Sequence, residues 1–148
     1  MRYLSLDLGE RRIGVAISDS IGLLARPLST FKRTSREADF YHIAKLVEEH
    51  NVAAIIMGLP LNMDGTEGPQ AAWVRDYSAA LAAALQAHSA ATTIPIQLWD
   101  ERLSTEEAEE IMRAQGKRPD KTRIDAVAAA VILQSYLDAQ RREVTNEG

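Results

Sequence analysis

The sequence predicts an α/β fold, a five-stranded mixed sheet flanked by helices. Three patterns carry that expectation. A β-rich, alternating stretch at 3–19 breaks at Gly9 and forms a hairpin, with another extended segment behind it. The run 52–57 is continuously apolar with β-branched residues, as in a strand buried on both faces of a parallel sheet. Helix-periodic segments precede and follow that run, and alternation of strand and helix points to right-handed crossovers that put the fourth strand parallel to the first.

Taken in order, the first strand is a short apolar run that carries one carboxylate, Asp7, between Leu6 and Leu8. A charge inside a core strand is costly unless it is paired, hydrogen-bonded or bound to a metal. Gly9 permits a tight turn, and 12–18 returns as the second strand. After a turn at 19–22, residues 23–31 form a third strand. Pro27 places it at an edge, where a missing donor is tolerated. Lys32, Arg33 and Arg36 are a small basic cluster. Thr34-Ser35-Arg36-Glu37 reads as a capping box with Thr34 at the cap, and Phe40, Ile43, Ala44 and Val47 share one face of the helix it opens. That helix ends near His50-Asn51.

The buried fourth strand leads at Gly58 into a long loop, 58–69, whose glycines and Asn62 are suited to close approach by a phosphate or ribose. Pro69 opens a helix. Trp73, Tyr77, Ala80, Leu81 and Ala84 repeat along it at helical spacing, which makes Trp73 a packing residue rather than a base-stacking one. The last strand is 94–99, with Asp100-Glu101-Arg102 directly behind it. Ser104-Thr105-Glu106-Glu107 is a second capping box, opening a helix to about Gln115. A polar, basic stretch at 116–123 precedes an Ala-rich helix over 124–142, with Val127, Ala128, Val131, Ile132 and Ser135 along one side and Asp125 in its first turn.

A chain of 148 residues with 46% hydrophobic content suits a single domain, 1–142, with 143–148 as a frayed tail. The absence of cysteine excludes disulfides and thiolate metal sites. No run reaches the roughly 20 apolar residues that span a bilayer, and the chain opens directly on a strand. The expected location is therefore cytoplasmic, without a membrane partner. A net charge of −4 gives no overall basic field, so any nucleic acid would be held by local patches.

Three acids stand at comparable places: Asp7 on the first strand, Glu101 past the last, and Asp125 opening the final helix. Parallel strands bring the first two toward one sheet end, and a helix packed across the sheet can aim the third there. Clustered carboxylates repel unless a cation neutralises them, and hard ions with oxygen ligands, Mg²⁺ or Mn²⁺, are the natural partners. Two such ions ~3.5–4 Å apart can orient water against a phosphodiester without a protein nucleophile. Each acid has a plainer reading. Asp7 can start a turn, Asp125 can cap its helix, and Asp100 competes with Glu101 because adjacent residues point to opposite faces.

Several stretches resemble the YqgF/RuvX family. They are Leu6-Asp7-Leu8-Gly9, Arg12-Ile13-Gly14-Val15-Ala16-Ile17-Ser18-Asp19, Gly58-Leu59-Pro60-Leu61-Asn62-Met63-Asp64-Gly65, Asp100-Glu101-Arg102-Leu103-Ser104-Thr105 and Asp125-Ala126-Val127-Ala128-Ala129. Together they run through nearly the whole chain in the family order. The resemblance implies a ribonuclease-H-like fold, three antiparallel strands followed by two parallel ones. It implies a metal-dependent cytoplasmic nuclease that matures the 5′ end of pre-16S rRNA in ribosome biogenesis, with ribosomal precursor particles as partners. A Holliday-junction resolvase acting on branched DNA is the alternative that the family also implies. The family's acids fall on Asp7, Glu101 and Asp125, and Arg12 matches its second-strand arginine. Glu10-Arg11 departs from the more usual Thr-Lys.

Under the nuclease reading Arg12, Arg102, Lys121 and Arg123 hold the nucleic-acid backbone. Two other readings compete. Asp-x-Gly after a first strand also occurs in ATPases of the actin and sugar-kinase type, but those close two such domains over the nucleotide. A non-catalytic nucleic-acid-binding module would gain nothing from clustered negative charge. A homodimer would favour symmetric junction cleavage and a monomer RNA processing, and no stretch marks a dimer face.

Overall fold

The computed structural model of the chain describes residues 1–89, 93–104, 106, 109, 110, 113 and 121–147, with side chains in the last helix described over 124–143. Five strands form one sheet in the order β3-β2-β1-β4-β5. They are β1 (Tyr3–Leu8), β2 (Arg12–Ser18), β3 (Ala25–Lys32), β4 (Ala54–Leu59) and β5 (Ile96–Asp100). The first three pair antiparallel, and β1-β4-β5 pair parallel. This is the arrangement that the ribonuclease-H-like resemblance implies. Pro27 sits on edge strand β3, beside a register shift between Val15 and Ala16.

Strand alternation divides the sheet into two faces. Leu4, Leu6, Ile13, Val15, Ile17, Ile55 and Met57 point toward α1 (Arg36–Glu49) and α2 (Pro69–His88) and form the larger core. The opposite face is built of smaller residues and is covered by α3 (Lys121–Glu147), which packs across β1, β2 and β3. There the Ser5 hydroxyl donates to the Ala129 carbonyl at 2.7 Å. Ala16, Ile56, Ala129, Ala130, Leu133 and Leu137 make this second core.

Several boundaries differ from expectation, each for a local reason. The α1 cap is Ser35, not Thr34: its hydroxyl accepts from the Ala38 amide, and the buried Asp39 takes the Thr34 amide instead. Strand β4 extends through Gly58 and Leu59, because parallel pairing with β5 continues to Leu59 opposite Asp100. The loop therefore starts after Leu59. It folds on itself, with the Asn62 side-chain amide donating to Thr66 and the Thr66 hydroxyl to Asp64, so Asn62 is spent within the loop.

The buried stripe of α3 is centred on Ala126, Ala129, Ala130, Leu133 and Leu137; of the expected face Ile132 and Ser135 are buried with it, while Val127, Ala128 and Val131 are only partly buried. Helical backbone runs through Glu147, and no glycine or proline interrupts the helix before Gly148. The helix expected over 104–115 and the basic stretch at 116–120 lie largely outside the described residues. No helix among the described residues is long and apolar enough to cross a membrane.

Candidate active site

Asp7 is the penultimate residue of β1 and shares with Ser5 the face that α3 covers. Its antiparallel partner is Gly14. A Cβ on Gly14 would lie 2.0 Å from the Asp125 carbonyl oxygen and 3.0 Å from the Ala126 amide nitrogen. Only a bare backbone lets the first turns of α3 settle there. The glycine opposite Asp7 thus brings the Asp125 segment down beside it.

Glu101 arrives from the other side of the sheet. Strand β5 ends at Asp100, and a 3₁₀ turn (Glu101–Leu103) follows. The Asp100 carboxylate caps that turn through the Arg102 amide at 2.9 Å and pairs with the Arg102 guanidinium at 2.8 Å. This leaves Glu101 to face Asp7, with which it is hydrogen-bonded. Of the two adjacent acids, Asp100 is the structural one. A second tie fixes the turn: the Trp99 indole donates to the Ser135 hydroxyl, which donates to the Leu103 carbonyl at 2.7 Å.

The electrostatics follow from burial. Asp7 is raised above the usual carboxylate range, first by burial and then by the Asp125 charge, with the hydrogen bond to Glu101 pulling the other way. Glu101 is pushed up to about 7 by burial, then by the Asp7 charge, the hydrogen bond with Asp7 and the Asp100 charge. The two carboxyls therefore titrate as a coupled pair. Asp100 is lowered by its hydrogen bond to Arg102, as expected for a paired surface carboxylate.

The structure brings two of the three sequence-picked acids into contact and keeps the third in electrostatic reach of Asp7. Among the described residues no group of three or more acids or histidines is gathered closely enough to hold a metal ion. Glu101 thus faces Asp7 directly, and Asp125 acts on Asp7 through its charge.

The four cations are placed differently. Arg12 opens β2, where its carbonyl accepts from the Gly9 amide at 2.9 Å, and its guanidinium has no ion-pair partner among the described residues. Arg102 is engaged by Asp100 and donates to the Met63 carbonyl at 3.2 Å, so it ties the 60–68 loop to the end of β5. Lys121 and Arg123 fall on the first turn of α3, where side chains lie outside the described residues. Sequence reasoning missed Gly14 and Ser135 as supports of the site. Gly14 stood in a quoted motif without a role, and Ser135 stood only on a packing face.

The model of the RuvX family, described as Holliday junction resolvase, matches residues 1–139. A protein of Anaeromyxobacter sp. (strain Fw109-5) named "Putative pre-16S rRNA nuclease" is 49% identical over 142 residues, covering 95% of this chain and 98% of that one. A protein of the same name from Syntrophus aciditrophicus (strain SB) is 48% identical over 145 residues, covering 97% and 92%. Among solved structures, T. thermophilus RuvC in complex with Holliday junction substrate superposes with a TM-score of 0.65 at 12% identity, covering 95% of this chain and 96% of that one. The yeast mitochondrial Holliday junction resolvase Ydc2 gives 0.59 at 13%, covering 97% and 81%. At these identities the two structures speak for the fold alone.

Proposed function

This chain belongs to the RuvX family of Holliday junction resolvases, and from that premise we propose that it is a nuclease hydrolysing phosphodiester bonds, with Asp7, Glu101 and Asp125 at the reacting centre. The observation that carries this reading is the hydrogen bond between two partly buried carboxyls, Asp7 and Glu101, with a third acid beside them. Packing gains nothing from such a pair, because burial opposes ionisation of both. A carboxyl raised as far as that of Glu101, beside a second acid at a strand end, is what a reacting centre needs.

The donor set is entirely oxygen and therefore suits Mg²⁺ or Mn²⁺. Asp7 and Glu101 would hold the ion as carboxylates, with Asp125 joining from α3. When bound, the ion would lower the pKa of water and stabilise charge on the phosphate oxygens. Arg12 supplies positive charge for the nucleic-acid backbone, and Lys121 and Arg123 take the same role by their place in the sequence. Arg102 serves instead to hold the loop. Without a cysteine in the chain, no thiolate nucleophile competes with water.

The substrate we infer is the 5′ end of pre-16S rRNA, matured in the cytoplasm on ribosomal precursor particles; the names of the most similar relatives support it. Branched DNA is the second reading, favoured by the family's description. Digestion of a pre-16S leader and a four-way junction side by side, with Mg²⁺ and with chelator, tests both. Metal-dependent cutting of the leader alone is expected. Cutting of the junction alone would favour the second reading, and cutting of neither would remove the nuclease assignment.

A further inference from the structure

We propose that Gly58 is a positioning residue for the reacting centre, because the space left by its missing side chain is the seat of the Glu101 carboxylate. The inference rests on the reading of Asp7 and Glu101 as reacting groups. Leu6 pairs with Met57, so Gly58 stands one row further on, beside Asp7, and it pairs on its other side with Trp99. Asp7 therefore has Gly14 on one flank and Gly58 on the other, all on the face covered by α3. A Cβ on Gly58 would lie 2.7 Å from Glu101 Oε1, 3.1 Å from its Cγ and 2.9 Å from Ile132 Cδ1.

The backbone does not ask for glycine here. The glycines with positive φ among the described residues are Gly22 and Gly65, and a glycine inside a strand weakens it. The space does ask for it. The obstructed atoms all belong to side chains, the two nearest at their far ends, unlike the main-chain atoms that face Gly14. An alanine at 58 would therefore leave strand and helix in place and turn the Glu101 carboxyl away from Asp7. Gly58 shapes the site without touching any reactant.

The test is Gly58→Ala, read by direct Mn²⁺ binding in calorimetry alongside the urea midpoint. The expected result is a midpoint close to the wild type and Mn²⁺ affinity reduced roughly 10–100-fold, the usual cost of losing a ligand's support. Glu101→Gln should show a similar loss, and the double variant should bind no more weakly than Glu101→Gln alone. Should Gly58→Ala fold poorly, adding Ile132→Val removes the Cδ1 contact and should restore the midpoint without restoring affinity. Wild-type Mn²⁺ affinity in a folded Gly58→Ala, or multiplying losses in the double variant, overturns the inference and leaves the proposed function standing. A wild type that binds Mn²⁺ and cleaves no nucleic acid overturns the function instead, and one that binds none overturns both.

Discussion

Glu101 faces Asp7 and is hydrogen-bonded to it, so two acids far apart in sequence titrate as one pair. The Glu101 carboxyl is raised from 4.5 to about 7 in the folded chain. As pH rises through that window the unfolded chain releases its proton first, so the folded form binds more protons and loses stability. Below the window this penalty is absent. Urea midpoints taken in chelator should therefore fall as pH rises through it, and Glu101→Gln should flatten the fall. An equal slope in the variant would detach the titration from this residue.

Gly14→Ala should behave unlike an ordinary strand substitution. Its Cβ would meet the Asp125 main chain, which cannot swing aside as a side chain can. Overpacking of this kind costs about 1–3 kcal/mol, and α3 would move away from Asp7. The unfolding free energy from urea titration should drop by that amount, the midpoint falling with it, and cleavage should be lost. A midpoint equal to the wild type would show that the helix has room it does not display.

Arg12 and Arg102 should separate in their salt response. Arg12 makes no ion pair among the described residues, whereas the Arg102 guanidinium is already paired with Asp100. Neutralising one phosphate contributes roughly 0.7 to the salt slope on a single strand. Arg12→Ala should reduce the slope of binding against log salt by about that much, and Arg102→Ala should leave it unchanged. The reverse result would exchange their roles.

Ser135→Ala should loosen the 3₁₀ turn that carries Glu101, since the hydroxyl bridges the Trp99 indole and the Leu103 carbonyl. A buried hydrogen bond of this kind contributes about 1 kcal/mol. The expected outcome is a destabilisation near that size together with faster amide exchange in the turn at Glu101–Leu103. Unchanged exchange would remove Ser135 from the support of the site.

Much of this architecture is legible in the sequence because local chemistry decides it. The hairpin follows from alternation broken at Gly9, the edge position of β3 from Pro27, and the α2 start from Pro69. The choice between Asp100 and Glu101 is not local. It depends on Arg102 taking the first and on β1 standing beside β4, so that only the second meets Asp7. The α3 stripe was equally hidden. Apolar periodicity favours the valines, but the first turns of the helix meet Ser5, Gly14 and Ala16, where Asp125, Ala126 and Ala129 come down to the sheet. Gly58 looked like the start of a loop because the extent of β4 is fixed by pairing on both sides.

The most direct measurement is the cleavage of an end-labelled pre-16S leader by Asp7→Asn in Mg²⁺, with circular dichroism recorded on the same sample. Asparagine matches the size of the aspartate but removes the charge that Glu101 and a cation would share. A folded variant with cleavage at background is predicted. Undiminished metal-dependent cleavage by that variant would contradict the account.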